Sequence, residues 1–138
     1  MAVQPDKGHR AGFVIHWFGV EKFGNAEDAK PYVEVESQLY KRVLEGCYGF
    51  LSMQTYGVNW DHNKVSINGK EIGYLHKTTS YEWRVDTFVV GTDVIVDGIN
   101  TFRIDSGTQS GDPAGPDDDI DDFEVKDPVL IFAVPDHH

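Results

Sequence analysis

The chain has 138 residues, a length that suits one domain around one hydrophobic core. It carries 12 Lys and Arg against 23 Asp and Glu, a net charge of −11, so it repels nucleic acid and anionic membrane surfaces. No stretch approaches the ~20 apolar residues that span a bilayer, and residues 1–10 lack the apolar run of a secretory signal. We therefore predict no nucleic-acid partner and no membrane insertion, and the sequence leaves the compartment unassigned.

The acidic residues are concentrated near the C-terminal end of the sequence. Residues 104–138 hold ten acids and one base, a net charge of −9, and six of the aspartates lie within 112–122. A single cysteine, Cys47, excludes an internal disulfide. Hydrophobic residues make up 40% of the chain, which is enough to form a folded core. The sequence thus describes a nearly neutral folded domain followed by an acidic segment.

Strand-like segments occupy the first third of the chain. Residues 13–20 are rich in β-branched and aromatic side chains and predict a buried strand. Residues 21–30 are polar and contain glycine, so we predict a loop there. Residues 32–36 alternate between apolar and polar side chains, which predicts another strand. Residues 37–45 also suit one face of a helix, and we predict a strand followed by a turn.

The middle of the chain gives clearer patterns. Residues 48–58 predict a long strand, with Leu51 and Met53 on one face and Phe50 and Tyr56 on the other. Residues 64–75 are two alternating runs around Asn68-Gly69, a pair that tolerates positive φ at both central positions of a type I′ turn. We therefore predict a β-hairpin over 64–75.

Alternating segments continue to the end of the sequence. Residues 81–90 predict a strand with Trp83 in the core, and residues 101–106 predict another. Residues 106–119 have the composition of a loop. A final strand is predicted over 123–134, with a bulge or an edge position at Asp127-Pro128. About eight strands without a long helix predict a single all-β domain over 1–138, an antiparallel β-sandwich of jelly-roll type.

Several local motifs carry a resemblance to a known family. They are an Asn-Trp-Asp segment at 59–61, the Val-x-Ile-Asn-Gly hairpin at 65–69, Ile-Gly-x-Leu at 72–75, Gly-x-Asn-Thr-x-x-Ile at 98–104 and Asp-Asp-Phe-Glu-Val at 121–125. Over residues 49–132 the chain resembles the galactose-binding-like β-jelly-roll domains, which include many carbohydrate-binding modules. The resemblance implies the fold more strongly than the ligand, because the same fold also serves adhesion and protein binding.

A candidate ligand site lies in the polar and aromatic segment that follows the long predicted strand. Sugars stack their C–H faces on flat rings, while amides and carboxylates bind their hydroxyl groups. The segment supplies both kinds of group, and Tyr81 would join them from another loop; the predicted ligand-binding residues are Asn59, Trp60, Asp61, His62 and Tyr81. The alternative is that Trp60 only anchors its loop.

A candidate metal site lies in the acidic segment. Asp117, Asp119 and Asp121 have the alternate spacing of an oxygen-ligand calcium loop. An EF-hand loop that starts at Asp117 is excluded, because it would require glycine at position 122 and glutamate at position 128, where the sequence has Asp122 and Pro128. The family resemblance implies a structural calcium near the termini of such domains. A solvated acidic loop without metal is the alternative.

Motifs for catalysis are missing from the sequence. It has no G-x-S-x-G, no phosphate-binding loop and no H-E-x-x-H zinc motif. A glycosidase would require two carboxylates about 5–10 Å apart, which abundance alone does not provide. We therefore predict a non-catalytic carbohydrate-binding module with a structural calcium. The alternative is a structural or protein-interaction module of a larger assembly of phage or secretion type, oligomeric and without a sugar ligand.

Overall fold

The computed structural model describes residues 10–41, 48–78, 81–111 and 119–134. Within these ranges the chain forms nine β-strands and one short 3-10 turn at Thr92–Val94. The strands are β1 (Arg10–His16), β2 (Val20–Phe23), β3 (Tyr32–Leu39), β4 (Tyr48–Tyr56), β5 (Lys64–Ile67), β6 (Lys70–Tyr74), β7 (Arg84–Gly91), β8 (Gly98–Asp105) and β9 (Phe123–Val134).

The strands form two antiparallel sheets. In sheet A the order is β1-β9-β4-β7, and β2 also pairs with β9; in sheet B the order is β3-β8-β5-β6. β1 pairs with the end of β9 and β2 with its beginning, so together they act as one interrupted strand beside β9. The predicted all-β antiparallel sandwich of about eight strands is confirmed, and its architecture is compatible with a jelly roll.

An irregularity in β9 explains the interruption. Two residues of β9, Asp127 and Pro128, lie opposite Met53 of β4, and Asp127 has a φ of 51°. The Asp127 N–H donates to the carbonyl of Gly19 (2.7 Å), and the Trp17 N–H donates to that of Pro128 (3.4 Å). The predicted bulge is confirmed, whereas the edge alternative is wrong because β9 has neighbours on both sides. The prediction of a single strand over 13–20 is also wrong. β1 ends at His16 and β2 begins at Val20, because residues 17–19 lie opposite the bulge.

The core lies between the inner faces of the two sheets. The predicted alternation of residues 48–58 is confirmed, since Leu51 and Met53 are buried while Phe50 is 41% exposed. Phe23 and Phe123 stack at the start of β9, with ring centroids 4.6 Å apart. Each such buried side chain contributes roughly 1.5–3 kcal/mol to stability. Along each strand of sheet A, the side chains that alternate with these core residues lie on the outer face of the sheet.

The Asn68-Gly69 hairpin is confirmed. Asn68 and Gly69 have φ values of 53° and 78°, as a type I′ turn requires. The Asn68 amide also donates to the carbonyl of Val94 (2.9 Å) and to Oδ1 of Asn100 (2.8 Å). Its own Oδ1 accepts the N–H of Thr101 at 2.9 Å. The turn is thus joined to the neighbouring strand β8 as well as to its own hairpin.

Candidate functional site

The side chain of Asp121 joins loops at one end of the sandwich. It is fully buried, and its carboxylate accepts both the N–H and the Nδ2 of Asn59 (3.1 and 2.9 Å). The same carboxylate accepts the N–H of Trp60 at 2.9 Å and Nδ2 of Asn63 at 2.8 Å. Hydrogen bonds to a charged acceptor are the strong ones. Asp121 therefore fixes the loop after β4 to the segment before β9.

The backbone around Asp121 extends this connection to a third loop. The Asp121 N–H donates to the carbonyl of Gly107 (2.9 Å), and its carbonyl accepts the hydroxyl of Ser106 (2.6 Å). The N–H of Gly107 donates to Oδ1 of Asn63 at 2.8 Å. A Cβ on Gly107 would lie 2.1 Å from the carbonyl oxygen of His62. This close approach requires glycine at position 107.

Three predicted ligand residues take part in loop contacts. The Asp61 carboxylate accepts the N–H of Lys77 at 2.6 Å. His62 Nδ1 donates to the carbonyl of Thr108 at 3.0 Å, since a carbonyl can only accept. Trp60 is half-buried and its N–H is bonded to Asp121. None of the three lines the open cavity at the junction of β4 and β9.

That cavity is an open groove of about 490 Å³ on sheet A, where β4 ends and β9 begins. Its volume is within the range of about 300–1,000 Å³ that is typical of small-molecule sites. We call it the tyrosine groove. Its residues with polar or aromatic side chains, apart from Phe23 and Phe123, are Lys22, Glu27, Tyr56, Asn59, Tyr81, Asp122 and Glu124. The groove thus brings together two predicted ligand residues, Asn59 and Tyr81, with several that the sequence analysis missed.

The floor of the tyrosine groove is a row of side chains across three strands. Glu124 of β9 pairs with Lys22 of β2 on one side and with Tyr56 of β4 on the other. Phe123 and Val125 are buried in the core on either side of Glu124, and Phe23 and Thr55 are buried beside Lys22 and Tyr56. The alternation of 48–58 already places Tyr56 on the face opposite Leu51 and Met53. The register that brings it beside Glu124 depends on pairing with a distant strand.

One wall of the groove is the loop between β2 and β3. Gly24 has a φ of 130°, and a Cβ there would lie 1.8 Å from Oδ1 of Asp122. The Asn25 N–H donates to this Oδ1 at 2.9 Å, and Oδ1 of Asn25 accepts the N–H of Ile120 at 2.8 Å. The wall that carries Glu27 is therefore bonded to the segment that also contains Asp121.

The other wall is aromatic. The ring centroid of Tyr56 lies 6.2 Å from that of Tyr81 and 5.5 Å from that of Trp83. Tyr81 is 87% exposed, whereas Nζ of Lys126 lies 4.5 Å from the centroid of Trp83. The prediction of Trp83 in the core is wrong, because β7 begins after it and its side chain is 37% exposed. Tyr81 is therefore the most accessible ring of this wall.

The predicted metal ligands do not all fall within the described residues. Asp117 lies outside them; Asp119 is exposed, and both oxygens of Asp121 accept N–H donors. In the described ranges no three His, Cys, Asp or Glu side chains are grouped as a metal site. The calcium site of Asp117, Asp119 and Asp121 stays a prediction, and in the structure the third member acts as an acceptor for the protein's own amides.

A second polar site lies at the start of β7. The buried carboxylate of Asp86 accepts the N–H of His76 at 3.2 Å and lies 2.5 Å from its Nδ1. The hydrogen bond to Asp86, followed by the charge of Asp86, raises the pKa of His76 above its ordinary value. A cavity of about 240 Å³ beside them is bounded by Lys77, Thr78 and Arg84. The imidazole is mostly exposed, so this pair chiefly fixes the backbone at residue 76.

Comparison with known proteins does not assign the site. The sequence matches no model of a known protein family, and it finds no relative among curated proteins. Among the described residues, no helix is both long and apolar enough to cross a membrane.

Proposed function

We propose that this protein is a non-catalytic carbohydrate-binding module of the galactose-binding-like type, with the tyrosine groove as its binding site. The observation that carries the proposal is Tyr81, whose ring is 87% exposed at the wall of the groove. A large aromatic ring left in water costs free energy that a ligand's apolar face can recover. The resemblance over residues 49–132 supports the same class of ligand.

The groove offers the two kinds of contact that a pyranose needs. The flat ring of Tyr81 can stack on the C–H face of a sugar, and Tyr56 supports it from 6.2 Å. Asn59 and Asp122 also line this cavity, and their side-chain oxygens can accept hydrogen bonds from the hydroxyl groups of a sugar. A mostly apolar site with a few convergent polar groups is the usual form of a small-molecule site.

The proposed role is binding without hydrolysis. One of the groove carboxylates, Asp122, accepts the N–H of Asn25 and is packed against Gly24, which makes it part of the wall. A test for hydrolysis is prolonged incubation with oligosaccharides followed by mass spectrometry. The appearance of shorter sugars would show that the protein is a glycosidase and would overturn the proposal of binding without hydrolysis.

Titration calorimetry with a panel of neutral and charged oligosaccharides tests the proposal. We expect Tyr81→Ala to weaken binding at least about fivefold, since an aromatic contact contributes ~1 kcal/mol or more. Tyr40→Ala is the matched control, because Tyr40 is also exposed but lies just after β3, whereas the wall of the groove is the loop that precedes β3. Trp83, next to Tyr56, provides a fluorescence signal for the same titration. Absence of binding to every sugar, with and without calcium, would refute the proposal.

A second candidate function is a protein-interaction module. The outer face of sheet A supports it, since the paired neighbours Phe50, Val89 and Ile131 are 41%, 66% and 38% exposed there. Contiguous exposed apolar side chains are typical of interaction surfaces. Sedimentation of the full chain tests this alternative. A stable oligomer that dissociates on Val89→Glu, with sugar binding absent, would favour it over the carbohydrate proposal.

A further inference from the structure

The charges in the tyrosine groove are unbalanced. The carboxylates of Glu27, Asp122 and Glu124 line it, and Lys22 is the one basic residue among the described lining residues. The whole chain has a net charge of −11, which adds to the negative potential in the groove. A neutral sugar can donate its hydroxyl groups to these carboxylates but leaves their net negative charge unbalanced.

We infer that the groove recognises a cationic sugar, a pyranose that carries a protonated amine. The inference rests on the proposed function and names the class of ligand for the same site. In this arrangement the C–H face of the sugar lies on Tyr81, and the ammonium lies near Glu124 and Glu27. The polar groups of Asn59 and Asp122 then face the hydroxyl groups.

Glu27 and Glu124 of the groove differ from several other carboxylates of the protein, which form ion pairs with basic side chains. Lys30 pairs with Glu21 at 2.9 Å, close to the groove, and Arg84 pairs with Glu82 at the same distance. Within the described part of the chain, neither Glu27 nor Glu124 forms an ion pair. Glu124 lies between Lys22 and Tyr56 in the strand register, yet no ion pair joins it to Lys22. These carboxylates are therefore available to an incoming cation.

The aromatic wall is also suited to a positive charge. The faces of aromatic rings carry negative potential, and a cation within about 6 Å of a ring centroid is attracted to it. The protein itself uses this attraction, because Nζ of Lys126 lies 4.5 Å from the centroid of Trp83. Lys126 occupies that ring, whereas Tyr81 remains 87% exposed. An ammonium near Glu124 and Tyr56 would gain both a carboxylate and an aromatic face.

The test compares three oligosaccharides of equal length by titration calorimetry with the full chain. They are oligomers of glucosamine, of N-acetylglucosamine and of glucose, at a pH where the free amine is protonated. We expect the glucosamine oligomer to bind about tenfold more tightly than the other two, from one exposed ion pair and one cation–π contact. Raising the ionic strength from about 0.02 M to about 0.5 M should remove most of that preference, because salt screens exposed charges.

Charge variants locate the effect. Glu27→Gln with Glu124→Gln should reduce the ratio of the glucosamine-oligomer affinity to the glucose-oligomer affinity from about tenfold to about onefold. Lys22→Met should increase the affinity for the glucosamine oligomer about twofold to fivefold, because it removes a repulsive charge. The matched control is Glu36→Gln with Glu71→Gln, which makes the same change in net charge at exposed positions of sheet B.

The outcomes separate this inference from the proposed function. Equal affinity for the amine and the neutral sugars would overturn the cationic ligand and leave the carbohydrate site intact. A lysine-rich peptide that binds as tightly as the glucosamine oligomer would overturn the assignment to a sugar. Absence of binding to all three oligosaccharides and to the wider panel would overturn both proposals. A preference that persists in the Glu27/Glu124 double variant would also overturn the inference.

Discussion

Replacing Asp121 tests the connection that builds this end of the sandwich. The carboxylate accepts four N–H donors, from the backbone and amide of Asn59, the backbone of Trp60 and the amide of Asn63. Asp121→Asn keeps the volume but replaces one acceptor oxygen with an NH₂ group that faces these donors. Since an unsatisfied buried donor costs about 1–3 kcal/mol, and bonds to a charge contribute about 1.5–3 kcal/mol each, we expect a loss of about 3–5 kcal/mol.

Urea denaturation measures this loss. With a slope of about 2 kcal/mol per M, the midpoint should fall by about 1.5–2.5 M at unchanged slope. The control is Asp119→Asn, since Asp119 is exposed, and a surface change of this kind is expected to stay within about 0.5 kcal/mol. A stability of Asp121→Asn within the same range would refute the reasoning.

Repeating the series in calcium and in a chelator tests the metal prediction, because a destabilisation seen only with calcium would make Asp121 a ligand rather than an amide acceptor.

Three further predictions concern the same fold. Gly107→Ala should cost about 2–4 kcal/mol in urea denaturation, because its Cβ would lie 2.1 Å from the carbonyl oxygen of His62; a loss below about 0.5 kcal/mol would contradict this close approach. The raised pKa of His76 means that its pairing with Asp86 stabilises the fold fully below pH 6.5 and that this contribution is lost as the pH rises through the folded-state pKa. His76→Gln should therefore cost under about 1 kcal/mol near pH 5.5 and less near pH 8.5, and a cost that grows with pH would contradict the assignment. If the predicted calcium site exists, calcium should raise the melting temperature of the natural chain and not that of Asp119→Asn; equal shifts in both proteins would exclude Asp119 as a ligand.

The fold could be predicted because its signals are local. The alternation of 48–58 identifies β4 and its inner face, and Asn68-Gly69 identifies the hairpin through its positive φ values. Asp127-Pro128 marks a bulge because proline cannot donate to a neighbouring strand. Each of these features depends on residues that are adjacent in the sequence.

The site could be predicted only in part, because its construction is not local. The polar segment after β4 resembles a ligand site in the sequence, yet the backbone N–H of Asn59 and the side-chain amides of Asn59 and Asn63 are bonded to Asp121, some sixty residues later. The alternation separates Tyr56 from Leu51 and Met53, but Glu27 gives no signal in a loop of ordinary composition. The exposure of Trp83 depends on where β7 begins, and alternation alone does not specify a strand boundary.

The position of β9 has a consequence for how the protein folds. It pairs with β1, β2 and β4, and the contact between His16 and Asp127 joins residues 111 positions apart. Sheets built from such distant segments fold slowly, on a scale of about milliseconds to seconds, because a long loop must close before the contacts form. Until β9 inserts, one edge of β4 and the core face of sheet A remain open to other chains. The insertion of β9 is therefore expected to limit the refolding rate, and the time before it is when aggregation competes with folding.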